Sequence, residues 1–388
     1  MPVLSKGLGN KDIEIKIKTA NIIDTLMVNI KPSQRLVGRL VVLEKLYNFI
    51  KGAVKKNEVQ DVGDNMNSED KLEDKLFHCA LNAMASLSVC SKKVRIVLFE
   101  KDYYKTILSL VTNDKATIRA AACRCIASLA RAEKYPKQSL IAEGIINKLL
   151  DLLKYDDMNV VEMAIAALSN ISLDIKKELC KKDCYVNAII DFIQSKYQSL
   201  KYRAIFALKN LLFMATIEIK QLVLSKLPLT NFVELFDDEN TAVQEQAMCA
   251  VINLVNESQD WFNEELNKYG LERIMQKLEE KLSYTIPSVV SKALYLLCGI
   301  ANSSEKHKQL IVNSPLMKLS LNMLESKYIT LIQGVMDLLI ILLEVKNKEL
   351  QVRVKEVLKS KRNKLEALES ESNKVIKNKL KIVLHQIS

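Results

Sequence analysis

The residue types that do chemistry are present in this chain but are not grouped for it. Its three histidines, His78, His307 and His385, fall at unrelated points of the sequence. Far apart in the repeat count, they read as surface or internally satisfied helix residues rather than ligands or bases. The spacing of Cys180 and Cys184 puts two thiols on one face of a helix, but a zinc site needs four ligands and no third lies nearby. Cys123 and Cys125 are two apart and point different ways on a helix. Gly7 and Gly9 precede no strand–helix unit, so no phosphate-cradling loop forms there. No serine or cysteine sits in the setting of a nucleophile, and the acidic residues read as solvated helix faces. The sequence therefore describes a protein that is not an enzyme and calls for no metal or cofactor. What does recur is asparagine: Asn170, Asn210 and Asn253 lie 40 and 43 residues apart. An asparagine amide both donates and accepts hydrogen bonds, which suits gripping an extended peptide backbone.

Those asparagines belong to a phrase that returns along the chain. It reads small residue, two residues, an apolar pair, two residues, then another apolar residue. Copies start at Ala80, Ala122, Ala164, Ala204, Ala247 and Ala293, successively 42, 42, 40, 43 and 46 residues apart. The clearest are AIAALSNI from Ala164, AIFALKNL from Ala204 and AMCAVINL from Ala247. Weaker copies start at Gly334 and Leu380. A helical pattern with a period of about 40–47 residues marks armadillo or HEAT repeats. The predicted fold is all-α, a right-handed armadillo-repeat α-solenoid of about eight to nine repeats. Each repeat has a short first helix, a second helix, and a third that carries the phrase.

Composition agrees. Nine glycines and six prolines in 388 residues fall well below the usual share of about 12%, as long helices demand. Apolar residues make up 49% and aromatics only 6%, a core of Leu, Ile, Val and Ala suited to close helix packing. The N-terminal MPVLSKGLGN has no apolar signal region, and Pro2 stands where myristoylation needs glycine. The most apolar window, Leu331 to Val345, is broken by Gln333, Asp337 and Glu344, so no membrane span is expected. Eight cysteines scattered through helical patterns read as intracellular thiols, and the expected location is cytoplasm and nucleus.

The expected organisation is a single solenoid over residues 1–388. Residues 1–52 hold an N-terminal repeat and part of the next, with helices at 11–27 and 35–52. Residues 53–70 read as a flexible polar insertion. Removing its 18 residues brings Ala20 to 42 residues before Ala80, so Ala20 heads another repeat. Regular repeats fill 71–345. Residues 346–388 carry 12 Lys/Arg against 5 Asp/Glu and read as a basic capping repeat. A basic surface for acidic peptide, nucleic acid or membrane is the other reading of that segment. Within the repeat ending at Leu254, helices are expected near 217–225, 229–236 and 241–256. Thr241 with Gln244, and Asn159 with Glu162, fit capping boxes, and Pro287 fits the first turn of a third helix.

Residues two and six after each phrase start lie one turn apart and outside the Ala/Leu stripe. They give Asn82 and Ser86, Arg124 and Ser128, Ala166 and Asn170, Phe206 and Asn210, Cys249 and Asn253, Tyr295 and Gly299. With Arg203 beside them, the candidate partner-binding residues are Arg124, Asn170, Arg203, Phe206, Asn210, Asn253 and Tyr295. Arg119 is a further cation on the same helices. Two roles fit the asparagine row: holding a partner's backbone, or bonding the backbone of the neighbouring repeat.

The Ala–Leu–Asn phrase resembles that of armadillo repeats. Import adaptors of that class pair the asparagine with a tryptophan four residues earlier; here Ala166, Phe206 and Cys249 occupy those places, and the one tryptophan, Trp261, lies in a first helix. A different member of the class matches in series. IRAAACRCIASLARA (Ile118 to Ala132), LKYRAIFALKNLLFMATIEIK (Leu200 to Lys220) with LTNFVELFDDEN after it, and ALYLLCGIANSSEKHKQLIVNS (Ala293 to Ser314) resemble successive repeats of the armadillo-repeat-containing protein eight family. That family supplies the scaffold subunit of the GID/CTLH ubiquitin ligase. The register holds from about residue 72 to the end and corresponds to the C-terminal part of the longer animal members. The resemblance implies a non-catalytic scaffold. It would carry a substrate receptor on its concave face, join it to RING and LisH/CTLH-bearing subunits, and promote ubiquitination and degradation. A cargo or transport adaptor for an extended peptide is the alternative. Binding of nucleic acid or a membrane surface by the basic C-terminal helices is a third reading.

Overall fold

The computed structural model describes residues 2–29, 37–59, 68–131, 134–154, 157–256, 259–368 and 373–387. All regular structure among them is helical. Nine helices there carry the phrase. They are α1 (Ile13–Asn29), α2 (Ser68–Cys90), α3 (Ala116–Leu129), α4 (Met158–Cys180), α5 (Gln198–Leu212), α6 (Thr241–Val255), α7 (Pro287–Ser303), α8 (Ile329–Leu343) and α9 (Lys374–Ile387). Shorter helices separate them, such as Ile217–Lys226 and Leu229–Glu234 before α6.

The chain divides into two compact units, Met1–Ala207 and Leu208–Ser388, so the boundary falls inside α5. In the first unit α1 packs on α2, α2 on α3 and α3 on α4. In the second, α6 packs on α7, α7 on α8 and α8 on α9. The small residue at the phrase start makes this stacking possible. Ala20, Ala80, Ala122, Ala164, Ala204, Ala247 and Ala293 are all 0% exposed. Where Gly334 replaces alanine, an added Cβ would sit 3.3 Å from Leu294, so α7 and α8 approach closely.

Several expectations need correction. The helix expected to stop at residue 52 runs Val37–Val59, and α2 already begins at Ser68; residues 60–67 lie outside the described residues. Lys56 joins the two helices through Asp70 (3.1 Å) and Glu73 (2.5 Å), so polar residues of the supposed insertion hold helix to helix. Neither expected capping box forms. Asp157 caps α4, accepting from Val160 N at 3.0 Å, and Asn240 caps α6, accepting from Ala242 N at 3.0 Å. In each case an Asx side chain ahead of the expected site reaches the free amides first. Gln244 instead donates to the carbonyl of Asp238 at 2.7 Å. Pro287 does open α7, at a position whose missing N–H costs nothing. Cys180 and Cys184 do not share a helix face: Cys180 ends α4, and Cys184 lies in the next helix, Asp183–Ile193, beyond a turn.

By length and composition α4 alone among the described helices could cross a membrane. In the structure Ala164, Ile165, Leu168 and Ile171 are fully buried, and the helix bends at Ile175 (φ −129°, ψ 34°). Its apolarity serves the core between repeats, and its last turn forms the short first helix of the following repeat.

Candidate functional site

In the first unit the phrase helices leave a groove of about 640 Å³. Four of the expected residues line it: Arg124 on α3, Asn170 on α4, and Arg203 and Phe206 on α5. Asp24, His78, Asn82, Arg131 and Tyr202 also line it. The stacking of alanine-faced helices creates this surface, because each third helix turns its Ala/Leu stripe inward and leaves the residues beside the stripe facing the groove.

The four residues are held differently. Arg124 is built into the fold. Its guanidinium donates to Asp24 on α1 (2.9 and 3.2 Å), and to Asn82 Oδ1 (2.9 Å) and Ser86 Oγ (2.8 Å) on α2. One side chain thus ties three successive core helices, and its charge is met by Asp24. Asn170 donates its amide to the carbonyl of Ala127 on α3 at 2.8 Å. Arg203 lies 5.8 Å from the Tyr202 ring centroid, and that ring is 6.1 Å from Phe206. Stacking against a ring leaves the edges of a guanidinium for a ligand. His78 contacts Asn82 at 3.0 Å, and burial together with the Arg124 charge holds it below the usual histidine range, so it faces the groove neutral at pH 7.

The remaining residues lie in the second unit. Asn253 donates to the carbonyl of Lys209 at 2.9 Å, and Asn210 is 8% exposed. Tyr295 is half-buried, with Lys292 Nζ 6.0 Å from its ring centroid. Burial and the charge of Lys292 push Lys209 below the usual lysine range.

For Asn170 and Asn253 the structure realises the second of the two expected roles. Each sits six residues after its own phrase start and donates to the carbonyl five residues after the preceding one. The bond stitches repeat to repeat and takes up a donor that a partner's backbone would need. Arg119 is likewise absorbed: it donates to the carbonyls of Asn113 (2.8 Å) and Asp114 (2.9 Å), closing the turn before α3. Gln244, at the equivalent place before Ala247, makes the matching bond.

Sequence reasoning missed Asp24, Tyr202 and Arg131 as groove residues. Tyr202 stands two before its phrase start and could have been found by extending the face one turn towards the N-terminus. The described residues bring no three His, Cys, Asp or Glu together as a metal cluster. Burial pushes the thiols of Cys123, Cys125 and Cys298 up to about 12, which leaves them inert as nucleophiles at neutral pH.

Comparisons with known proteins follow this architecture. Residues 64–210 match a family model described as HEAT repeats of the stalled ribosome sensor GCN1-like type, over less than half the chain. GID complex subunit 5 of Schizosaccharomyces pombe is 25% identical over 258 residues, covering 64% of this chain and 33% of that protein. Armadillo repeat-containing protein 8 of Danio rerio is 23% identical over 248 residues, covering 63% and 36%. The chain thus spans about a third of the length of these relatives. A designed armadillo repeat protein, solved in complex with the peptide (KR)4, superposes with a TM-score of 0.52 at 20% identity, covering 66% of this chain and 98% of its own. In fold the chain is an armadillo-repeat α-solenoid, and in sequence it resembles GID complex subunit 5 and armadillo repeat-containing protein 8.

Proposed function

We propose that this chain is a non-catalytic scaffold of a GID/CTLH-type ubiquitin ligase. In this reading the groove of the first unit holds a substrate receptor, and the rest of the chain joins it to RING and LisH/CTLH-bearing subunits, so that chosen proteins are ubiquitinated and degraded. The observation that carries the reading is the similarity to GID complex subunit 5 across 258 residues, nearly two thirds of the chain. The groove supports it in kind. Arg124 and Asn170 are fixed by neighbouring repeats, and the groove's polar groups are not grouped as acid, base and nucleophile, which suits recognition of a surface better than turnover of a substrate. The same reading places the chain in the cytoplasm and nucleus.

Affinity purification of the tagged chain from its native organism, followed by mass spectrometry, tests the proposal. RING and LisH/CTLH-bearing proteins should co-purify in stoichiometric amounts. A preparation that lacks them and carries transport receptors instead would favour the second reading, a cargo adaptor for an extended peptide. That reading draws support from the peptide-bound designed armadillo protein, which has a similar fold.

A further inference from the structure

The charges in the first-unit groove are unbalanced. Three arginines line it, Arg124, Arg131 and Arg203, against one carboxylate, Asp24. Asp24 is already committed to Arg124 and also accepts from Ser86 Oγ. Among the described residues neither Arg131 nor Arg203 has a carboxylate partner. On the bordering helix α4, Glu162 accepts from Ser199 Oγ and Asp174 pairs with Lys137 at 2.7 Å. His78 is held neutral and cancels nothing. The groove is therefore a cationic trough in which one arginine is spent and two are available.

Its ring pair lies beside one of those two cations, Arg203. Tyr202 and Phe206 form a tilted ring pair with Arg203 against the tyrosine. A planar guanidinium backed by a ring can take a carboxylate along its edge while a neighbouring apolar group of the ligand covers the second ring.

We propose that the groove selects an extended protein segment in which an acidic side chain neighbours an aromatic one, the carboxylate meeting Arg203, the ring meeting Tyr202 and Phe206, and Arg131 adding positive charge further along the groove. This rests on the reading of the groove as a partner site and adds the chemistry of the partner. The peptide seen with the designed armadillo protein is basic; a ligand of that sign would here face three arginines.

The test measures fluorescence anisotropy of the full chain with three labelled probes: a peptide of Glu-Phe-Ser repeats and its Gln-Phe-Ser and Lys-Phe-Ser counterparts. The Glu probe should bind roughly tenfold or more tighter than the Gln probe, with the Lys probe weakest. The double variant Arg131→Glu with Arg203→Glu should reverse the order of the Glu and Lys probes. Because neither side chain is buried, its thermal melt should match that of the parent. Phe206→Ala should weaken the Glu and Gln probes alike. Equal binding of Glu and Gln probes, an unchanged order in the double variant, or no binding of any probe would overturn the inference. Co-purifying ligase subunits alongside an absent charge preference would remove this inference and leave the scaffold reading standing. A clear charge preference without those subunits would do the opposite.

Discussion

The side-chain amide of Asn170 donates to the main-chain carbonyl of Ala127 across the α3–α4 contact, at 2.8 Å. Asn253 makes the same bond to Lys209, so a side chain that looks like a peptide ladder is in part the mortar between repeats. A net contribution of about 1 kcal/mol is expected from each such bond. Asn170→Ala and Asn253→Ala should therefore each lower unfolding stability by about that amount in urea titrations. A variant that unfolds at the parental midpoint would show that the bond contributes nothing.

The stripe that packs the helices makes a sharper contrast. Ala207 is 0% exposed, whereas Ala166 is only half-buried and lines the groove. Ala207→Glu drives an unpaired carboxylate between helices and should cost several kcal/mol, enough to lower the melting temperature by many degrees or prevent folding. Ala166→Glu should leave the melt within about 1 kcal/mol of the parent, because its carboxylate reaches solvent and arginines. Equal losses in the two variants would mean the faces are misassigned.

The period and the packing code were fully legible in the sequence. Seven alanines predicted as the stripe are without exposure, and the helices expected near 217–225, 229–236 and 241–256 appear within a residue or two. Spacing alone settles such matters, because a small residue every 42 positions has one steric use. The destinations of polar side chains were not legible. Nothing in the spacing of Asn170 says whether its amide meets a partner or the carbonyl of Ala127, since both lie on the same side of the stripe. Nor does it pair Arg124 with Asp24, exactly one hundred positions earlier and two repeats away. The caps failed for a local reason: Asp157 and Asn240 lay close enough to the expected caps that the backbone chose between neighbours. Residues 53–59 and 68–70 are helical rather than loop, and Lys56 reaching Asp70 and Glu73 supports them through contacts that periodicity does not carry.

Stability should depend on pH through buried His307 and half-buried His78. His307 is 2% exposed, its Nδ1 lies 2.8 Å from Ser303 Oγ, and burial with the nearby Lys306 holds it below the ordinary histidine value of about 6.5. Above 6.5 the ring is neutral in folded and unfolded chains alike, and the neutral-ring contribution is fully present. As pH falls below 6.5 the unfolded chain takes up the proton first, so stability is lost through the window down to the folded value. One such histidine can steepen the decline by at most about 1.4 kcal/mol per pH unit. Urea titrations between about pH 7 and pH 5 should show the decline, and His307→Asn should flatten it. A variant with the parental slope would assign the pH dependence to other groups, His78 first among them because it is displaced in the same direction.

The pair Arg124–Asp24 joins α3 to α1 past the side chains of α2, and both partners are only about 30% exposed. Two charges in that position have lost part of their hydration, so neither is indifferent to losing the other. Arg124→Ala leaves Asp24 facing Ser86 alone, while Asp24→Asn leaves the guanidinium with Asn82 and Ser86 but no counter-charge. Each single variant should be less stable than the parent, and the double variant should be less damaged than the sum. The expected coupling is about 1–2 kcal/mol from a double-mutant cycle read by urea denaturation. Asp24→Asn has a second consequence, because it turns the one balanced arginine of the groove into a third free cation. That variant should bind the Glu-Phe-Ser probe more tightly than the parent even as it loses stability. Additive losses with unchanged probe affinity would show that Asp24 neither braces Arg124 nor offsets its charge in the groove.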